Sequence, residues 1–177
     1  MLIRSIHSAL VVCLSLSGCV SAQDSEIGKI LRRDVGTWDA EVKMFADLAA
    51  PPEVTKGVET NFLVGPYWLI SHFKGKIMGA DFEGSSQTGY DQASKKFVGT
   101  WVDSMSPHPM KMEGTWDEKT QTMTSTGTGK DPNGSEAKHK MVLVYNKDGS
   151  RNFTMFGYIN GAEVKMMEIK YTRAASK

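Results

Sequence analysis

Trp38-Asp39-Ala40-Glu41-Val42-Lys43-Met44 alternates apolar with charged side chains, and Met110-Lys111-Met112-Glu113-Gly114-Thr115-Trp116-Asp117 repeats the pattern later in the chain. Successive side chains on an extended strand point to opposite faces, so each stretch predicts a strand with one buried and one wet face. Less regular strands follow from the same period over Thr55–Val64, Tyr67–Ile77, Asp81–Tyr90, Lys96–Ser104, Thr120–Thr128, Lys138–Tyr145, Asn152–Ile159 and Glu163–Tyr171. Turn signals separate them: Val64-Gly65-Pro66, Met78-Gly79, Asp131-Pro132-Asn133-Gly134, Lys147-Asp148-Gly149 and Asn160-Gly161. Strand after strand at this spacing argues an antiparallel meander. A meander of about ten strands closes on itself to remove its exposed edges, with a sandwich as the alternative. Glycines within the strands (Gly57, Gly75, Gly84, Gly99, Gly114, Gly157) favour the barrel, where tight coiling needs positions without a side chain.

One helix precedes the strands. Asp24 or Ser25 caps it, Glu26 occupies its first turn, and Ile27, Ile30 and Leu31 recur at helical spacing while Lys29, Arg32 and Arg33 face away. Gly36 is expected to end it after about three turns. The fold class is therefore all-β: an up-and-down antiparallel barrel of about ten strands behind one short N-terminal helix. Trp38 is expected at one barrel end, beneath the helix.

Upstream, Arg4 precedes an apolar run, Ile6 to Leu16, that ends in Leu16-Ser17-Gly18-Cys19. This resembles a bacterial lipoprotein signal, in which small residues precede a cysteine that is acylated and becomes the first mature residue. Ser5 to Gly18 is shorter than the roughly 20 residues of a spanning helix, which argues against an uncleaved anchor. The alternative is ordinary secretory cleavage near Ser21-Ala22. We expect residues 1–18 to be a signal peptide, 19–25 a lipidated tether and 26–173 the barrel domain. The membrane is then a partner through Cys19. Val20 stands where an aspartate would signal inner-membrane retention, so we expect a bacterial envelope protein at the outer membrane, facing the periplasm.

The chain has two cysteines, Cys13 within the apolar run and Cys19 at its end. A domain without either has no thiol chemistry and no disulfide. Removing Arg4 from the 21 basic residues leaves them balanced against 20 acidic ones. No basic stripe is present, and nucleic-acid binding loses its electrostatic basis.

The helix running into Gly36-Thr37-Trp38 is similar to the start of lipocalins and other calycins. Val35-Gly36-Thr37-Trp38-Asp39-Ala40, Gly89-Tyr90-Asp91, Lys96-Phe97-Val98-Gly99-Thr100-Trp101-Val102-Asp103-Ser104-Met105 and Glu113-Gly114-Thr115 resemble the bacterial domain-of-unknown-function family 1579. The resemblance spans Glu26 to Thr172. It implies a calycin-like barrel and transfers no activity, cofactor or catalytic residue.

Chemistry-bearing clusters are sparse. Met105-Ser106-Pro107-His108-Pro109-Met110-Lys111-Met112 gathers thioethers and an imidazole, a donor set suited to Cu(I). Methionines are also ordinary core fillers, and His108 between two prolines reads as a loop tip. His72 shares a period-two face with Trp68 and Ile70, and His139 lies near Met141 and Leu143; either could contact a ligand or a haem iron, or be a satisfied interior histidine. Asp103 and Glu113 could face each other across a hairpin as paired carboxylates, but solvated strand positions explain them as well. No Gly-x-Ser-x-Gly turn, zinc motif or phosphate loop is present. We therefore expect no enzyme and no required cofactor or metal. The expected function is binding of a small apolar or amphipathic ligand inside the barrel, contacted by Trp68, His72, Trp101 and Met112. This requires that the four border a common cavity above about 300 Å³. The alternative is a filled barrel acting as a structural or interaction protein, with haem or Cu(I) binding as further readings.

Overall fold

The computed structural model describes residues 26–46, 49–131 and 133–175. The expected signal peptide, Cys19 and the expected tether lie outside the described residues. Among the described residues no helix is long and apolar enough to cross a membrane.

The chain runs from helix α1 (Glu26–Arg32) into ten strands: β1 (Gly36–Met44), β2 (Glu53–Val64), β3 (Trp68–Ile77), β4 (Ala80–Asp91), β5 (Lys96–Asp103), β6 (Ser106–Asp117), β7 (Thr122–Lys130), β8 (Glu136–Tyr145), β9 (Arg151–Ile159) and β10 (Ala162–Arg173). Each strand pairs antiparallel with its neighbour in sequence, and β1 also pairs with β10, which closes the barrel. Closure gives every strand a partner on both sides and removes the two end-strand edges. The hairpins are tight where the sequence permits: Asn160 and Gly161 both take positive φ (52° and 80°), the conformation of a two-residue turn that matches strand twist.

The alternation seen in β1 holds. Trp38, Ala40 and Val42 are buried, and Asp39 and Glu41 face solvent. The inward set continues around the wall through the pairing register: Ala40 opposite Tyr171, Val42 opposite Ile169, Phe73 opposite Gly84. Trp38, Ala40, Val42, Phe73, Ile169 and Tyr171 form one apolar cluster, extended by Met44, Phe82, Trp101, Phe153 and Met167.

The helix closes one barrel end. It is shorter than expected, ending at Arg32 with the chain then turning through Asp34 N–H to Leu31 C=O and Val35 N–H to Arg32 C=O. Its apolar face packs with Leu69 and Phe97 in a second cluster that includes Ile27, Val35, Leu63, Tyr90, Trp116 and Met123. Trp38 belongs to the first cluster instead. It is 2% exposed, and its indole N–H donates to the Asp34 carbonyl at 2.8 Å. Arg33, expected in solvent, lies over the rings of Trp116 and Tyr145 and donates to Gln121. Its stem and charge help fix the helix to the β6 and β8 wall.

Candidate functional site

The inward face of the strands does not fill the barrel. A cavity of about 580 Å³ runs from the helix-capped end toward the opposite rim. Two features of the sequence leave this space. Glycines stand inward at Gly84, Gly99 and Gly127, and large side chains of neighbouring strands lie over them. A Cβ at Gly84 would collide with the Trp101 ring, and one at Gly127 would collide with Met110 Sδ. The bulk therefore lies flat along the wall, and the axis stays open.

The wall is apolar and rich in sulfur. Phe73, Phe82, Trp101 and Phe153 supply aromatic surface, with Phe82 stacked on Trp101 at 6.4 Å and edge-on to Phe73 at 5.9 Å. Nine of the chain's eleven methionines line the cavity. That count decides its character, since flexible thioethers make a surface that reshapes around different guests. Polar groups on the wall include Ser71, Ser86, Ser125 and His139. His139 Nδ1 is buried with no hydrogen-bond partner, and burial holds the His139 pKa below the ordinary histidine value, so the ring is neutral at pH 7.

The capped end has a polar floor. Arg151, 3% exposed, pairs through one guanidinium nitrogen with Asp34 and through another with Glu59. Its guanidinium lies between the Trp38 and Tyr171 rings, 4.3 and 4.4 Å from their centroids. Tyr145 O–H donates to Asp34 at 2.8 Å, and Asn61 Nδ2 donates to Glu59 at 2.7 Å. Burial holds the Asp34 carboxyl above its ordinary range, against the opposing pull of Arg151. Burial likewise raises the Tyr145 and Tyr171 hydroxyls, so both stay protonated donors. The network ties the segment after α1 to β2, β8 and β9. At the far rim, Met105, His108, Lys130 and Asp131 border the opening.

A family model described as "Protein of unknown function (DUF1579)" matches residues 24–173. The chain belongs to this family. A search of curated proteins gave no match. Among solved structures, Rv2717c from M. tuberculosis superposes with a TM-score of 0.61 at 8% identity, covering 85% of this chain and 99% of that one. The S-type phycobiliprotein lyase CPES from Guillardia theta gives 0.59 at 14% identity, covering 88% and 97%. At these identities the likeness is one of fold, and it agrees with a calycin-like barrel.

In the DUF1579 barrel the four residues expected at one site are divided. Trp101 and Met112 line the cavity. Trp68 and His72 do not. Leu69 and Phe73 are the buried residues of β3, so Trp68 and His72 stand on the outer wall. Trp68 is 42% exposed and packs over Gly89 on the adjacent strand. His72 Nδ1 meets Ser85 Oγ at 2.7 Å, and its Nε2 meets Glu83 at 2.9 Å, with Lys74 also on Glu83 at 3.3 Å. This is a cross-strand polar row on the outer, solvent-facing side of the sheet. The four-residue site is thus not formed, although the cavity it was to border is present.

Other expectations change too. Asp103 and Glu113 do not face each other. Asp103 lines the cavity and accepts from Trp101 Nε1 at 2.8 Å, whereas the Glu113 side chain is exposed and pairs with Lys96 at 2.8 Å. His108 is not at a loop tip but in the first residues of β6, at the cavity rim. Pro107 and Pro109 are tolerated there because β6 does not pair with β7 before Lys111. The cavity residues missed from sequence are Phe73, Phe82, Phe153, Met110, Met155 and the floor Arg151. In-strand glycines could have pointed to two of them, since Phe73 lies over Gly57 and Met110 over Gly127; no local signal marks Phe82, Phe153, Met155 or Arg151.

Proposed function

We propose that this DUF1579 protein is a binding module that holds a small apolar or amphipathic molecule in the barrel. The observation that carries the reading is the cavity of about 580 Å³ lined by aromatic rings and thioethers. Small-molecule sites typically occupy about 300–1,000 Å³, mostly apolar with a few placed polar groups. Polar groups stand at both ends, the Arg151 floor and the rim with His108 and Lys130, which suits an amphipathic guest. That a barrel of similar fold is a phycobiliprotein lyase supports a working interior in this architecture. The reading is non-catalytic and takes as guest contacts the cavity-lining Trp101 and Met112, with Phe73, Phe153 and His139 added. A filled structural barrel is disfavoured by the open volume. Acylation of Cys19 would hold the module at the envelope, at the outer membrane and facing the periplasm.

Native mass spectrometry of protein purified from its source tests the binding reading directly, because a retained guest appears as added mass. A solution test uses the apolar fluorophore N-phenyl-1-naphthylamine. Wild type should bind it saturably at one per chain. Ser86→Phe, which adds bulk opposite Trp101 on the cavity wall, should weaken binding at least tenfold while retaining the barrel's circular dichroism. Absence of saturable binding, or equal binding by Ser86→Phe, refutes the cavity as the site. Labelling with an alkyne fatty acid tests the anchor: equal labelling of wild type and Cys19→Ala ends that part of the reading.

A further inference from the structure

The wall of β6, β7 and β8 brings soft donors to one spot. His139 on β8 pairs directly with Gly127 on β7. Gly127 has no side chain, and Met110 of β6 lies across the vacant position. A Cβ there would collide with Met110 Sδ and stand 3.1 Å from Met141 Cε. The Met141 methyl, two residues from His139 on the same inward face, and the Met110 sulfur therefore both lie against the Gly127 position, which pairs with His139. Met155 faces Met141 across β9. Two thioether side chains and one imidazole, from two strands that flank a glycine, thus border the same stretch of the cavity wall, and Met155 lines the cavity with them.

We propose that this cluster is a binding site for a soft monovalent cation, Cu(I), held by His139 Nδ1 and the sulfurs of Met110 and Met141, with Met155 able to complete the set. The proposal goes beyond guest binding and does not depend on it.

Three observations favour a ligating role over simple filling. The first is the orphaned Nδ1. A buried nitrogen without a partner carries an uncompensated desolvation penalty, and a group that uses its lone pair removes it. The second is protonation. Desolvation keeps the ring neutral, which is the state that coordinates a metal. The third is donor chemistry. Thioether with imidazole selects Cu(I), whereas zinc, calcium and magnesium need thiolate, several imidazoles or oxygen. Among the described residues no group of three or more His, Cys, Asp or Glu could hold a metal ion. Coordination by three neutral groups needs no electron or proton transfer: Cu(I) enters and leaves as Cu(I).

The test is an anaerobic competition of the full chain against the coloured bis-bicinchoninate complex of Cu(I). Wild type should withdraw one copper per chain. Met110→Leu conserves volume and should leave the thermal midpoint close to wild type while weakening copper binding at least tenfold. His139→Ala should do the same. Met78→Leu, outside the cavity and 58% exposed, should match wild type. X-ray absorption of the loaded protein should show a mixed nitrogen and sulfur shell. Failure of wild type to compete for copper overturns the proposal. So does binding unchanged in both Met110→Leu and His139→Ala, or a shell without sulfur. N-phenyl-1-naphthylamine titration of the copper-free protein reads guest binding separately, so the failure of one reading is distinguishable from failure of the other.

Discussion

Replacing Arg151 by methionine removes the cation that Asp34 and Glu59 share. Their side chains are 10% and 11% exposed, and Arg151 is 4% exposed in its side chain, so none of the three is well hydrated. Breaking a buried pair from one side costs about 3–5 kcal/mol, because the remaining charge stays desolvated without its partner. The guanidinium also lies between two aromatic rings, a contact methionine replaces in part through its sulfur. A domain of this size has a stability of about 5–15 kcal/mol, so the variant should still fold. With a urea dependence of about 2 kcal/mol per molar, the unfolding midpoint should fall by roughly 2 M. Tryptophan fluorescence reads this directly, since Trp38 is a neighbour of the changed side chain. The sign of the pH dependence is a sharper test. Asp34 is already raised from 3.8 by burial, and without Arg151 it rises further. A carboxyl with a raised folded pKa takes up a proton in the folded state first, so stability increases as pH falls toward the unfolded value. The deficit of Arg151→Met should therefore be largest near neutrality and shrink on acidification. Adding Asp34→Asn and Glu59→Gln, which remove the stranded charges, should restore more than half of the loss. A cost below about 1 kcal/mol, a deficit independent of pH, or no recovery in the triple variant would refute the account of the floor as a mutually neutralised network.

Trp38→Ala should cost roughly 3–5 kcal/mol in urea unfolding, because it empties a fully packed site and strips the Asp34 carbonyl of an indole donor; a loss under about 1 kcal/mol contradicts its role in closing the barrel. Since burial lowers the His139 pKa from 6.5, the unfolded chain protonates first as pH falls, and wild type should lose stability below that value. His139→Leu should flatten the thermal midpoint between about pH 6.5 and 5, and an unchanged slope would mean that the ring is solvated. Trp68→Ala should leave N-phenyl-1-naphthylamine affinity within about twofold, because Trp68 stands on the outer wall; a tenfold loss would restore it to the guest site.

The barrel was legible because its strands obey a simple period and its hairpins carry turn residues, and all ten predicted strands overlap those observed. What the period does not fix is which face is inside, and β2 and β3 show why. On β2, Glu59 and Asn61 are buried while Val58, Phe62 and Val64 are exposed. The polar residues face inward because Arg151 needs a second carboxylate and Asn61 reaches both Glu59 and the Asp34 carbonyl. The pairing register then transmits that choice: Leu63 opposite Leu69 and Glu59 opposite Phe73 place Leu69 and Phe73 inward, and Trp68, Ile70 and His72 outward. Trp68 and His72 looked like site residues because β3 is apolar on both faces, so hydrophobicity alone could not orient it. β6 had no such ambiguity, since Lys111 and Glu113 can only face water, and Met112 was placed on the correct wall. The same logic explains why Arg151 went unnoticed. Its role depends on Asp34 and Glu59, which are distant in sequence, and a lone arginine beside Ser150 carries no local sign of burial. The candidate site was thus legible where one face of a strand was charged, and hidden where buried polar partners from three elements satisfied one another.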